Sequence, residues 1–111
     1  MVMYGGDRRL LLAYLKALAN PTRIRILEVL ARGQVSVKEL AGELRVSQPR
    51  VSWHLVLLRR GGLIERRRVG RQVICELRWE GMQSGQRKLW ELLSEQRRIP
   101  VEVAATSTTN T

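Results

Sequence analysis

"SVKELAGELRVSQPRVSWHL", residues 36–55, decides the fold. Ser36 followed three residues later by Glu39 spells a capping box, in which each side chain takes the other residue's backbone amide, so a helix starts here. Leu40 and Leu44 lie one turn apart and face inward. Residues 45–47, "RVS", are too few for anything but a tight turn. Ser47 then caps a second helix, which runs to Gly61-Gly62. Two short helices across a three- or four-residue turn form a helix-turn-helix pattern.

Pro49 fits inside that second helix because it occupies the first turn, where backbone amides have no intrahelical partner to lose. On a helical wheel Val51, Leu55 and Leu58 share the core face. Pro49, Trp53, Val56 and Arg60 fall on the opposite side, flanked by Arg50 and Ser52. A tryptophan and an arginine facing outward near a helix start suit a DNA major groove, where the N-terminal residues of a helix meet base edges. Gln48 has the donor–acceptor pair to bond adenine on two atoms, and Arg50 the fork to bond guanine on two. Ser47 and Ser52 are hydroxyls for a base or a phosphate. Trp53 offers either apolar contact with thymine methyls or an indole donor to a phosphate; against this stands packing on a neighbouring helix.

Working outward, "LIERRRVGRQVICEL", residues 63–77, changes period. β-Branched and charged residues alternate about Gly70-Arg71, a two-residue hairpin turn with glycine first. Val73, Cys75 and Leu77 share one strand face. The ribbon carries Arg66, Arg67, Arg68 and Arg71; of these Arg67, Arg68 and Arg71 are taken as DNA-binding candidates, able to reach phosphates or a narrow minor groove. A charged edge strand that resists aggregation is the plainer reading of the same residues. Upstream, Asn20 caps a helix with Pro21 at its first position, Gly33 ends it, and Ile24, Leu27, Leu30 and Ala31 form its expected buried stripe. The segment before it, with Leu10, Leu11, Leu12, Tyr14, Leu15 and Leu18, is apolar nearly all round, so one side needs cover from a second subunit. A last helix is expected from about Met82 to Ile99, with Leu89, Trp90, Leu92 and Leu93 as apolar anchors and Pro100 as its stop. Residues 1–100 read as one domain and 101–111 as a disordered tail.

Composition narrows the function. The chain has 111 residues and a formal charge of +10. Residues 45–71 hold eight arginines against one glutamate, so seven of those ten net charges lie in one window. Clustering on this scale favours a face for an anionic partner over a uniformly basic surface. The single cysteine, Cys75, excludes an internal disulfide, and no run is long and apolar enough to span a bilayer or resemble a signal peptide. A cytoplasmic protein with no membrane partner is expected. One histidine, one cysteine and scattered carboxylates supply no acid/base pair, nucleophile dyad, metal cluster or phosphate loop, so neither an enzyme nor a cofactor is expected. A winged-helix module that meets an acidic protein is the alternative; it would bind DNA weakly and without regard to sequence.

The order of helices, basic hairpin and last helix resembles the ArsR/SmtB family of dimeric winged helix-turn-helix repressors. The resemblance spans about Leu15 to Leu77 and rests on "LANPTRIRILEVL", "SVKELAGELRVSQPRVSWHLVLLRRGGLI" and "GRQVICEL". It implies a mainly α (α+β) fold of five helices with a two-stranded β-hairpin wing. It also implies a homodimer through the first and last helices, operator binding on double-stranded DNA, and release by an effector. Family members that sense metals often carry Cys-x-Cys at the start of the third helix; the matching positions here are Ser36 and Lys38. The last helix has no histidine, only Glu91 and Glu95 one turn apart. No metal site is therefore expected, and any effector would be a small organic molecule. Pro49 and Trp53 depart from the family's common Ser and His, which makes an unusual operator preference the expectation. His54 has two roles open to it, packing at the edge of the core or contact with a phosphate. Cys75 reads as a small buried residue rather than a sensor.

Overall fold

A computed structural model of the chain describes residues 5–97. The chain runs α1 (Gly5–Leu18), α2 (Pro21–Leu30), β1 (Val35–Ser36), α3 (Val37–Leu44), α4 (Gln48–Arg60), β2 (Ile64–Val69), β3 (Gln72–Leu77) and α5 (Trp79–Ser94). The five expected helices and the hairpin are all present, in a mainly α fold. The tail at 101–111 and the stop at Pro100 lie outside the described residues.

Local chemistry sets the boundaries. The Asn20 side chain accepts from the amides of Thr22 and Arg23 at 2.9 and 3.2 Å, and Pro21 opens α2 without losing a hydrogen bond. Ser36 and Glu39 close the capping box in both directions, at 3.0 and 3.2 Å. The short α3–α4 turn needs one left-handed residue, and Arg45 supplies it at φ 57°. Gly70 sits at φ 62° between the paired residues Val69 and Gln72, as a two-residue hairpin of this hand requires.

Two elements differ from expectation. The sheet has three strands, in the order β1-β3-β2, because Val35 and Ser36 pair antiparallel with Cys75 and Ile74. Two residues give no periodicity, so this strand is invisible in sequence; the third strand clamps the base of the wing to the start of α3. The last helix begins at Trp79, earlier than Met82, and closes at Ser94. Its start carries no side-chain cap: Arg78 stands at the N-cap, and its amide bonds the Leu63 carbonyl at 2.8 Å instead.

The core gathers Ile26, Leu40, Val51, Leu55, Leu58 and Leu63, all fully buried, where α2, α3, α4 and the sheet meet. Each large aliphatic side chain enclosed this way contributes about 1.5–3 kcal/mol. Val51, Leu55 and Leu58 form the inward face of α4, as the wheel places them. The stripe of α2 is corrected. Ile24 is 41% exposed and Ala31 also faces solvent, while Arg23, Ile26, Val29 and Leu30 are buried. The helix is rotated by about one residue because an arginine takes an inward position, which apolar periodicity does not anticipate.

Candidate nucleic-acid interface

The α4 helix presents its first turns outward. Ser47 caps it, its hydroxyl accepting from the Arg50 amide at 3.4 Å. Gln48, Arg50 and Trp53 are exposed, the tryptophan at 57%, and Ser52 is half-buried. Trp53 thus does not pack on a neighbouring helix within the chain. The side chains of Gln48, Arg50 and Trp53 make no hydrogen bond or ion pair among the described residues, which leaves their donors free for a ligand.

The wing stands beside this face, and its register sorts the arginines. Arg66 pairs with Cys75, Arg67 with Ile74 and Arg68 with Val73. Cys75 is fully buried, so Arg66 and Arg68 share the side turned to the helices, while Arg67 lies on the other. Arg67 is there hydrogen-bonded to Gln34 at 2.7 Å. Arg71 follows Gly70 at the turn, exposed, and lines a cleft with Gln48, Ser52, Lys38 and Arg66. Among the sequence candidates, Gln48, Ser52 and Arg71 therefore come together, Arg50 and Trp53 stand on the same exposed helix, and Arg67 is set apart. Lys38 and Arg66 were not among the candidates. Strand parity was the signal for Arg66: in an alternating ribbon the residue two before Arg68 shares its face.

His54 is packed at the edge of the core. It is 8% exposed, and its Nδ1 lies 3.2 Å from Nη1 of the equally buried Arg23. A guanidinium only donates, so Nδ1 accepts and the imidazole proton sits on Nε2. Burial, reinforced by the charges of Arg23 and Arg50, pushes the His54 pKa below its ordinary value and keeps the ring neutral. Arg23 also donates from Nε to the Ala17 carbonyl at 2.9 Å and from Nη2 to the Lys16 carbonyl at 3.1 Å. One buried guanidinium thus joins the end of α1 to α4. Sequence reasoning missed it, since an arginine between apolar residues reads as an outward one.

Among the described residues no group of three or more His, Cys, Asp or Glu side chains is placed to hold a metal ion. Of the two positions where the resemblance would put a cysteine pair, Ser36 is buried as a helix cap and Lys38 is a cation. Burial raises the Cys75 thiol pKa, with Arg66 opposing it, so the group is a poor nucleophile. No helix among the described residues is long and apolar enough to cross a membrane.

Comparison with known proteins agrees with this geometry. Residues 18–67 match a family model described as a helix-turn-helix domain. The crystal structure of an ArsR family transcriptional regulator superimposes with a TM-score of 0.69 at 31% identity, covering 87% of this chain and 99% of that one. HlyU from Vibrio cholerae superimposes with a TM-score of 0.62 at 34% identity, covering 76% and 91%. A transcriptional repressor, an SmtB homolog of Synechocystis, is 42% identical over 58% of this chain and 48% of its own length. The aligned region spans about half the length of such curated relatives.

Proposed function

Because this chain belongs to the ArsR/SmtB-type family of winged helix-turn-helix transcriptional regulators, whose members are regulators and not enzymes, we propose that it is a sequence-specific repressor. It binds duplex DNA as a homodimer on an inverted-repeat operator. The observation that carries this is the outward face of α4: Gln48, Arg50 and Trp53 are exposed near the helix start, without partners, beside a wing rich in arginine. Arg50 reads a base, with Gln48 and Ser52 beside it, while Arg68 and Arg71 hold the backbone. Such a partner places the protein in the cytoplasm with the chromosome. Control comes from a small organic effector or from the abundance of the protein alone.

The test is selection of bound sequences from random duplex DNA, followed by variants on the selected site. Arg50→Ala is expected to cost about 1–3 kcal/mol per half-site and to relax preference at one position. Arg71→Ala is expected to weaken all sequences alike and to flatten the dependence on salt. Equal losses on every sequence from both variants would refute the division of roles. No enrichment of any sequence would favour a protein-interaction module.

A further inference from the structure

A cleft of about 290 Å³ opens between the wing and the first turns of α3 and α4. Three cations line it, Lys38 from α3, Arg66 from β2 and Arg71 from the hairpin turn, together with the neutral donors Gln48 and Ser52. No carboxylate lines it. None of the three cations has an ion pair or a side-chain hydrogen bond among the described residues. The two acids adjacent to these cations in sequence are engaged elsewhere: Glu39 accepts from the Ser36 amide at 3.2 Å, and Glu65 pairs with Arg78 at 3.2 Å. Arg66 is half-buried on the helix side of the sheet, opposite the enclosed Cys75, so water compensates it less than it does a surface arginine.

Like charges converging on one concavity repel, and low-dielectric walls focus their field on whatever anion enters. We propose that this cleft is a phosphate seat, taking one backbone phosphodiester of the bound DNA. The inference rests on the operator reading and adds Lys38 and Arg66 to it. A guanidinium fork from the wing and an ammonium from α3 approach the phosphate from two sides, which suits the tetrahedral oxyanion better than a flat carboxylate. Gln48 lies both at the start of the base-reading helix and on the cleft wall, so a strand passing that helix meets the seat. A single phosphate held there fixes the wing and the recognition helix in one register on the duplex. It also gives Lys38 a role at a position where metal-sensing relatives of this fold carry a thiolate.

The experiment uses the full chain and its selected operator, made with single neutral methylphosphonates one position at a time. With the unaltered protein, neutralising the seated phosphate is expected to weaken binding roughly tenfold, a figure of the size expected for one lost charge contact. In Lys38→Gln and in Arg66→Gln the same neutral phosphate is expected to cost much less, because its partner charge is already gone. Each variant should also lower the salt slope by about one per half-site. Arg66→Lys, which keeps the charge, separates this loss from any disturbance of the sheet by restoring most of the slope. Additive losses at every phosphate, or an unchanged slope in Lys38→Gln, overturn the seat. Release of DNA by inorganic phosphate beyond that by chloride at equal ionic strength, abolished in the double variant, would support the seat, because the free anion competes with the DNA phosphate for the same cations. If no operator is selected at all, the operator reading fails; the salt slope on random DNA still tests the seat, and an unchanged slope in Lys38→Gln again overturns it.

Discussion

Arg23 is a buried cation with no ion pair among the described residues, and the end of α1 explains how it is tolerated. The last carbonyls of a helix have no intrahelical donors and carry the negative end of the helix dipole. Arg23 takes two of them, from Lys16 and Ala17, and gives a third N–H to His54. Replacing it by methionine nearly keeps the volume but removes the buried donor to the Ala17 carbonyl, leaving the Lys16 carbonyl with the Ala19 amide at 3.3 Å, and is expected to cost about 1–3 kcal/mol of stability, read from the shift of the denaturant midpoint. The same pair makes stability depend on pH. The folded His54 pKa is lowered, by burial first and then by the charges of Arg23 and Arg50. The unfolded chain therefore binds this proton more readily than the folded one. The contribution is fully present above the ordinary imidazole value of 6.5 and is lost as pH falls from there through the lowered folded value. Melting temperatures measured from pH 7.5 down to 5.5 at fixed ionic strength are expected to decline, and His54→Gln should flatten that decline. A decline of equal size in the variant would assign it to other groups.

Between elements, glycines show how tightly the helices are set. A Cβ on Gly85 of α5 would run into the Tyr14 ring of α1, and one on Gly81 into the Gly62 carbonyl. Gly85→Ala is therefore expected to destabilise by about 1–3 kcal/mol or to push α5 off α1. Gly42, in the middle of α3, has open space around its Cβ position and no left-handed φ, so Gly42→Ala should instead stabilise by about 0.5–1 kcal/mol. Thermal unfolding of both variants checks the opposite signs. The elements were legible in sequence where chemistry is local. Asn20, the Ser36–Glu39 box, Ser47 and the Gly70-Arg71 turn each act within four residues, and each sits as the spacing predicts. What escaped depends on distant partners. The strand at Val35–Ser36 exists only because β3 lies beside it, the inward turn of Arg23 only because α1 ends there, and the start of α5 only because Leu63 takes the Arg78 amide. The proposed interface divides the same way. Gln48, Arg50, Ser52 and Trp53 followed from one helical wheel, whereas Lys38 and Arg66 join it through the packing of three elements on one cleft.

Across the whole molecule, charge and apolar surface pull in opposite directions. Each chain carries +10, so two copies repel. Yet α1 and α5, which pack together at Tyr14 and Gly85, leave Leu10, Leu12, Trp90 and Leu93 each more than half exposed. Arg97 lies over the outer Trp90 ring at 5.3 Å and does not bury it. Large apolar side chains held open on two adjoining helices are what a two-fold interface covers, and the +10 charge must be overcome to cover them. Salt therefore acts with opposite sign on the two proposed associations. Screening weakens repulsion between chains, so the dimer should tighten or hold steady as salt rises, whereas DNA binding should weaken steeply as released counterions become harder to free. Sedimentation across a salt series, on the protein alone and on its DNA complex, reads both. Trp90→Glu puts a charge on this apolar surface, at an aromatic residue of the kind that typically contributes about 2 kcal/mol or more to an interface. It should yield a monomer of unchanged helix content. That monomer should lose the preference for inverted repeats with half-sites about one helical turn or a multiple apart, while still binding an isolated half-site weakly. A wild-type chain that sediments as a monomer at micromolar concentration in high salt would refute the homodimer. A Trp90→Glu dimer would mean that the contact lies on another face.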